Sequence, residues 1–379
     1  MKKHDIWFVL KSFVIWRIAI TLIAVLAIRY LPLFSQNFFG GKYVNYITNP
    51  LFWGWANFDG EHYLSIAMFG YKNLQQFYFP VYPFLIKVFT YFIGIGLSSY
   101  LWIGILISNT SLFIALLGFY KLALFDYSEK ISKLAVILLL LFPTSFYFGA
   151  VYTESLFLCL TVWSFYFFRK QKYFWVAILG MFASATRIVG IILLPVFLFH
   201  LILNKKPIKK ERLSLFLMPL GLFGFMYYTY VSWGGFLKFF QTASIFGEQR
   251  SKTLIMLPQV FYRYFVKILP NLSWGYFPVV FTTLLEISVA VLFLYLIVIS
   301  FKKIRWDYWL FSVLGYLIPS LSGSFSSLPR YVLVLFPLFL FVSQKLINTK
   351  KPLLIGIFVI LTIIAVIAQS FFIRGYFVS

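Results

Sequence analysis

Phe79-Pro80-Val81-Tyr82-Pro83-Phe84-Leu85-Ile86-Lys87-Val88-Phe89-Thr90-Tyr91-Phe92-Ile93-Gly94-Ile95-Gly96 is the stretch on which the reading of the chain turns. It is apolar enough for lipid, but Pro80, Pro83 and the internal Lys87 interrupt it, and it falls short of the roughly 20 residues that a crossing helix needs. If it crossed the bilayer, Arg169-Lys170-Gln171-Lys172, Lys205 to Arg212, Lys302-Lys303 and Lys350-Lys351 would all face outward. That violates the positive-inside rule at every short loop. An interfacial or re-entrant helix restores the rule at all of these clusters, and this is the reading adopted.

Composition sets the solvent. Of 379 residues, 62% are hydrophobic, 23% aromatic and only 11% charged, and the mean hydropathy is +0.90, beyond the range of soluble globular chains. The expected class is an all-α polytopic membrane protein. The formal charge of +23 superficially suits nucleic acid, yet the basic residues lie in short clusters between apolar spans. They read as anchors against anionic headgroups, with membrane lipids and not nucleic acid as partners. The single Cys159 excludes an internal disulfide framework and a cysteine-rich metal site, and reads as a small buried hydrophobe.

Met1-Lys2-Lys3-His4-Asp5 is basic and precedes a hydrophobic run without a small-residue cleavage site. It therefore reads as a retained first span, Phe8 to Leu31, with a cytoplasmic N-terminus. Further spans are expected at 98–121, 133–149, 152–168, 173–188, 189–203, 213–232, 276–300, 307–322, 331–347 and 352–372, about eleven crossings in all. Residues 173–203 are taken as two short helices meeting near Ala185-Thr186-Arg187-Ile188-Val189-Gly190. The chain is expected to be a single membrane domain, 1–379, with no internal repeat. Residues 32–97 form a first extracytoplasmic loop with interfacial helices. Residues 233–275, with Glu248, Arg250 and Lys252, form a second large external segment, a partly helical cap.

With this parity the scarce polar groups gather on the outer side. Trp55-Ala56-Asn57-Phe58-Asp59-Gly60-Glu61-His62-Tyr63 places two carboxylates and an imidazole close together in a chain holding only 10 acidic residues and 3 histidines. Glu154, Arg187 and Arg330, the last followed by Tyr331, come from other blocks. Ionisable groups near lipid require a partner or a task. Arginine matches phosphate oxygens bidentately at any depth, so Arg187 and Arg330 suit a lipid-phosphate leaving group, and Asp59 suits a general base toward an acceptor hydroxyl. Each has a plainer alternative: a turn residue for Asp59, pairing with Lys72 for Glu61, an interface imidazole for His62, a helix cap for Glu154, and snorkelling for both arginines. Tyr63 reads as a belt residue or substrate platform. Asp126, Glu129, Glu211 and Asp307 read as solvated loop charges, and Glu286, inside a span, as either structural or functional. Asp59, Glu61 and His62 offer hard-ligand atoms, but their spacing demands no metal, so no cofactor is assigned.

These blocks resemble a known family. Phe58-Asp59-Gly60-Glu61-His62-Tyr63-Leu64-Ser65-Ile66-Ala67 with Gly70-Tyr71, then Phe79-Pro80-Val81-Tyr82-Pro83, is similar to the first-loop signature of the PIG-V-like mannosyltransferases. Pro143 through Tyr152-Thr153-Glu154-Ser155-Leu156-Phe157, then Ala185 to Gly190, then Pro329-Arg330-Tyr331 ahead of Phe336-Pro337, resemble its later blocks in the same order. The similarity runs from about residue 50 to 340. It implies a GT-C type bundle that takes sugar from a polyprenyl or dolichyl phosphate, with Asp59 as the key carboxylate and Glu61 and His62 beside it. Many relatives carry Trp-Asp where this chain has Phe58-Asp59. Eukaryotic members add the second mannose of the GPI anchor. The short chain and its Lys, Ile and Phe content suit a bacterial relative in the plasma membrane, its active site facing outside.

The expected activity is therefore inverting transfer of one sugar, mannose by the resemblance, from a polyprenyl-phosphate donor to a lipid- or glycan-linked acceptor. Asp59 and Glu61 are the expected catalytic residues. His62, Tyr63, Glu154, Arg187, Arg330 and Tyr331 are the expected substrate-binding ones. The alternative is a transporter or flippase of lipid-linked sugars, which commonly shows inverted repeats and midplane charges. Neither is evident here.

Overall fold

A computed structural model describes residues 3–34, 37–94, 96–205, 210–246, 251 and 253–378; the expected features Glu248, Arg250 and Lys252 lie outside them. All regular elements among the described residues are helical. Five helices are long and apolar enough to cross a membrane: α1 (Lys3–Tyr30), α4 (Leu97–Ala123), α9 (Lys210–Trp233), α10 (Phe277–Ser300) and α14 (Lys351–Ile373). A sixth candidate is the bent pair α12 (Leu328–Val334) and α13 (Phe336–Leu346), which meet at 80°. The chain is thus a multi-pass integral membrane protein. Its outer faces show why: Ile15, Ile18 and Leu22 on α1 and Leu353, Ile360 and Ile363 on α14 are exposed apolar chains, at home only against lipid.

The expectation of about eleven crossings is not shown. The other predicted spans form shorter helices: α5 (Glu129–Leu141), α6 (Glu154–Arg169), α7 (Tyr173–Ser184), α8 (Ile188–Leu203) and α11 (Trp306–Ser320). At 1.5 Å per residue these reach only about 18–24 Å, against roughly 30 Å of hydrocarbon. Pro143 and the buried 3₁₀ turn Ser145–Gly149 separate α5 from α6.

Among the described residues, the stretch between α1 and α4 holds no helix long enough to be a candidate span. It contains α2 (Asp59–Phe69) and α3 (Val81–Ile93), and α3 reaches about 20 Å. One face of α3 docks on α4, where the Tyr82 hydroxyl contacts the Gly104 carbonyl at 2.9 Å and Ser108 Oγ at 2.7 Å. Its other face, with Phe84, Tyr91 and Phe92, is exposed. Residues 173–203 form two short helices, α7 and α8, as expected.

Irregular backbone inside such a bundle must satisfy its polar groups locally, and here that requirement assembles the site. Val151 N donates to the Trp55 carbonyl at 2.9 Å, Tyr152 donates to the Asn57 carbonyl at 2.8 Å, and Thr144 donates to the Pro329 carbonyl at 2.7 Å. Three distant pieces of sequence are thereby drawn together. Of the acids read as solvated, Asp307 is the exception: it is fully buried and takes Arg305 at 3.1 and 3.0 Å. Arg305 lies only two residues away, so a loop neighbour became a buried ion pair. Glu286 accepts a hydrogen bond from Tyr264 at 2.6 Å.

Candidate active site

Asp59 opens α2, and its position depends on the residue before it. Phe58 has φ 57 and ψ −115, a conformation natural to glycine and costing another residue about 1–3 kcal/mol. It is held there by a hydrogen bond from its N–H to the Phe38 carbonyl at 2.7 Å and by ring contacts with Phe372 and Phe377 at 5.9 and 5.8 Å. Asn57, fully buried, donates to the Phe372 and Ile373 carbonyls at 2.8 and 3.2 Å. The end of α14 therefore braces the turn that aims Asp59.

Glu154 starts α6 and is 1% exposed. Arg187 lies in the extended link between α7 and α8, with φ −153 and ψ 144. That link is tight: a Cβ on Gly190 would stand 2.3 Å from the Ala183 carbonyl. Arg330 lies in α12, entered through Ser327 in a left-handed conformation and through Pro329 at the first turn. Pro337, without an N–H, helps break the chain between α12 and α13.

The charged groups interlock. Arg330 Nη1 donates to Asp59 Oδ2 at 2.5 Å, and Arg330 Nε stands 3.2 Å from Glu154 Oε1. Arg187 Nη1 donates to the same Glu154 oxygen at 2.8 Å. One carboxylate thus bridges two guanidiniums, and one guanidinium bridges two carboxylates. Aromatic faces enclose them: Arg187 lies 4.8 Å from the Tyr331 ring centre, and Arg330 lies 5.2 Å from that of Tyr152. Such packing leaves guanidinium edges free to meet oxygen atoms.

Asp59 has a further partner, since the Tyr78 hydroxyl donates to its Oδ1 at 3.1 Å. Burial by itself would raise its pKa, but the charge and hydrogen bond of Arg330, aided by His62 and Tyr78, hold it below the usual carboxylate value. Burial lowers the His62 pKa against the opposing pull of Asp59. Burial raises that of Glu61, with Lys42 opposing.

Asp59, Glu154, Arg187 and Arg330 line a cavity of about 880 Å³ counting its open mouth, bordered also by Phe77, Phe79, Thr153, Thr186, Phe239 and Ser322. No protein-family model matches the chain, and no curated protein sequence matches it. Among solved structures, the crystal structure of ArnT from Cupriavidus metallidurans bound to undecaprenyl phosphate is similar. The TM-score is 0.53 and the identity 14%, over 92% of this chain and 62% of that one. The fold of this chain is thus similar to that of ArnT. The Archaeoglobus fulgidus oligosaccharyltransferase, in complex with Zn and sulfate, aligns with a TM-score of 0.48 and 14% identity over 97% of this chain and 53% of that one. This chain thus spans less than two thirds of either.

Within this fold, Asp59, Tyr63, Glu154, Arg187, Arg330 and Tyr331 line one cavity, while Glu61 and His62 are not part of its lining. The reason is helical geometry: on α2 only part of the first turn faces inward. His62 instead stacks on Tyr78 with ring centres 4.7 Å apart, and Lys42, rather than Lys72, is the cation that acts on Glu61. Asp59, Glu61 and His62 do not gather ligand atoms for a metal; among the described residues the cluster with such spacing is His4, Asp5 and Glu129. Sequence reasoning missed Tyr78 and the strained Phe58. Tyr78 directly precedes Phe79-Pro80, but with 26 tyrosines in the chain nothing local marks it.

Proposed function

We propose that this chain is an inverting glycosyltransferase that moves one sugar from a polyprenyl-phosphate donor to an extracytoplasmic lipid- or glycan-linked acceptor. The observation supporting this reading is the convergence of Asp59, Glu154, Arg187 and Arg330 on one cavity. The similar ArnT structure carries undecaprenyl phosphate, the kind of species that such a transfer releases. Mannose, and membership of the PIG-V-like group, rest on the ordered sequence blocks around Asp59, Glu154, Arg187 and Arg330.

In the step envisaged, the acceptor hydroxyl loses its proton to the Asp59 carboxylate as its oxygen bonds to the anomeric carbon. The bond from that carbon to the phosphate oxygen breaks, and its electron pair leaves on the phosphate. Attack from the face opposite the leaving group inverts the centre. The departing phosphate gains negative charge, which Arg187 and Arg330 stabilise through charge-assisted hydrogen bonds. Glu154 keeps the two guanidiniums at a fixed spacing.

The pairing of Arg330 with Asp59 links the two halves of the reaction. While Arg330 holds Asp59, that carboxylate is ionised but a weak base. As charge grows on the phosphate, Arg330 is drawn toward it and Asp59 gains basicity when the acceptor proton must leave. His62 supports this centre from outside the cavity, through Tyr78.

The test uses the purified full chain in lipid with labelled donor supplied on the outer side. Labelled glycosidic product should form, and Asp59→Asn should lower turnover by roughly 10²-fold or more with folding retained. Unchanged turnover in that variant removes Asp59 from the mechanism. Donor movement across the bilayer without product would support a flippase instead.

A further inference from the structure

A second cavity lies at the far end of the helices that carry the site. α6 runs from Glu154 to Arg169, α8 from beside Arg187 to His200, and α11 from Asp307 toward Pro319. Along α6 that separation is roughly 22 Å. The cavity measures about 570 Å³ counting its open mouth and is lined by Phe168, Arg169, Gln171, Tyr173, His200, Leu201, Arg212 and Arg305. Three basic clusters from separate parts of the sequence therefore meet in one hollow. Among the described residues lining it there is no carboxylate.

The carboxylates stand behind the cations and fix them. Asp307, fully buried, holds Arg305 through both Oδ atoms at 3.1 and 3.0 Å and lies 3.4 Å from His200 Nδ1. Asp126 accepts from Arg169 Nη1 at 2.5 Å. All three guanidiniums lie over aromatic rings: Arg169 over Phe125 at 4.9 Å, Arg212 over Tyr173 at 5.4 Å and Arg305 over Tyr308 at 5.6 Å. Arg212 is itself only 7% exposed. A stacked guanidinium keeps its donors in the ring-parallel plane, the arrangement that suits phosphate oxygens.

The surroundings select the kind of phosphate. Phe174 and Ile202, next in sequence to the lining residues Tyr173 and Leu201, are exposed apolar chains. The hollow thus adjoins a surface made for acyl chains, at the opposite end of the bundle from Glu154. We propose that this cavity is a specific site for the phosphate headgroup of an anionic phospholipid in the leaflet opposite the active site. General attraction of scattered lysines to a charged surface is diffuse; this site is a defined pocket of fixed arginines.

Native mass spectrometry of the full chain, titrated with phosphatidylglycerol or phosphatidylcholine, tests the assignment. Phosphatidylglycerol should be retained at least about tenfold more tightly, and Arg212→Gln, which leaves the Arg305–Asp307 and Arg169–Asp126 pairs in place, should abolish that preference. Equal retention of the two lipids by the unaltered protein overturns the proposal, as does full preference in a folded Arg212→Gln variant. Should that variant not fold, a photoreactive phosphatidylglycerol headgroup on the unaltered protein decides. Its cross-links should map to 168–173, 200, 201, 212 or 305, and cross-links found only elsewhere overturn the site. Inorganic phosphate at millimolar concentration is the control for source: binding of phosphate without binding of the lipid would likewise refute a headgroup site.

Discussion

The ion pair between Arg330 and Asp59 joins residues far apart in sequence, and a double-mutant cycle measures whether it exists. Its geometry sets the size of the effect. The Nη1 to Oδ2 distance is 2.5 Å, with the Arg330 side chain 10% and the Asp59 side chain 24% exposed. Arg330→Gln takes the cation from Asp59 and leaves Glu154 with Arg187 alone, so a loss of about 3 kcal/mol is expected, the lower end for a broken buried pair. Asp59→Asn leaves Arg330 with Glu154 and keeps the Tyr78 contact, so its cost should be smaller, about 1–2 kcal/mol. The double variant should be more stable than the sum of the two losses implies. The coupling should fall near 1.5 kcal/mol, the lower end for a charged hydrogen bond, because water reaches Asp59. Unfolding in mixed micelles, followed by tryptophan fluorescence, supplies all four corners of the cycle. A coupling below about 0.5 kcal/mol with both single variants folded would show that the two side chains do not meet, and the proposed link between leaving-group charge and Asp59 basicity would fall with it.

Two further outcomes follow from the same region. Phe58→Gly should be more stable than Phe58→Ala by about 1 kcal/mol in the same unfolding assay, because only glycine occupies φ 57, ψ −115 without strain; alanine equal to or better than glycine would refute the strained turn. The lowered His62 pKa means that the folded protein resists protonation there. Its contribution to stability is complete above the unfolded value near pH 6.5 and is lost as pH falls below it toward the folded value. The depressed Asp59 pKa places the corresponding loss lower, below about pH 3.9. Thermal unfolding of His62→Gln across pH 5–7 should therefore be flatter than that of the unaltered protein; parallel curves would contradict the assignment.

Composition and charge placement determined the membrane class, and Pro80, Pro83 and Lys87 pointed to a short helix in residues 79–96, where α3 has 13 residues. These are local signals: hydropathy over some twenty residues, and prolines that break a helix within one turn. The sequence also marked Asp59, Glu154, Arg187 and Arg330, because ionisable groups are conspicuous in so apolar a chain. Only tertiary structure decided how they pair. That one glutamate bridges two arginines, that Tyr78 rather than Glu61 supports Asp59, and that Asp307 is buried rather than solvated all depend on which helix ends meet. The same holds for helix length, since the shorter helices match full spans in apolar composition until their breaks are seen. Residues hundreds of positions apart are brought together by buried carbonyls and hydroxyls that have no water to turn to, a constraint that acts in space and leaves no periodic trace along the chain.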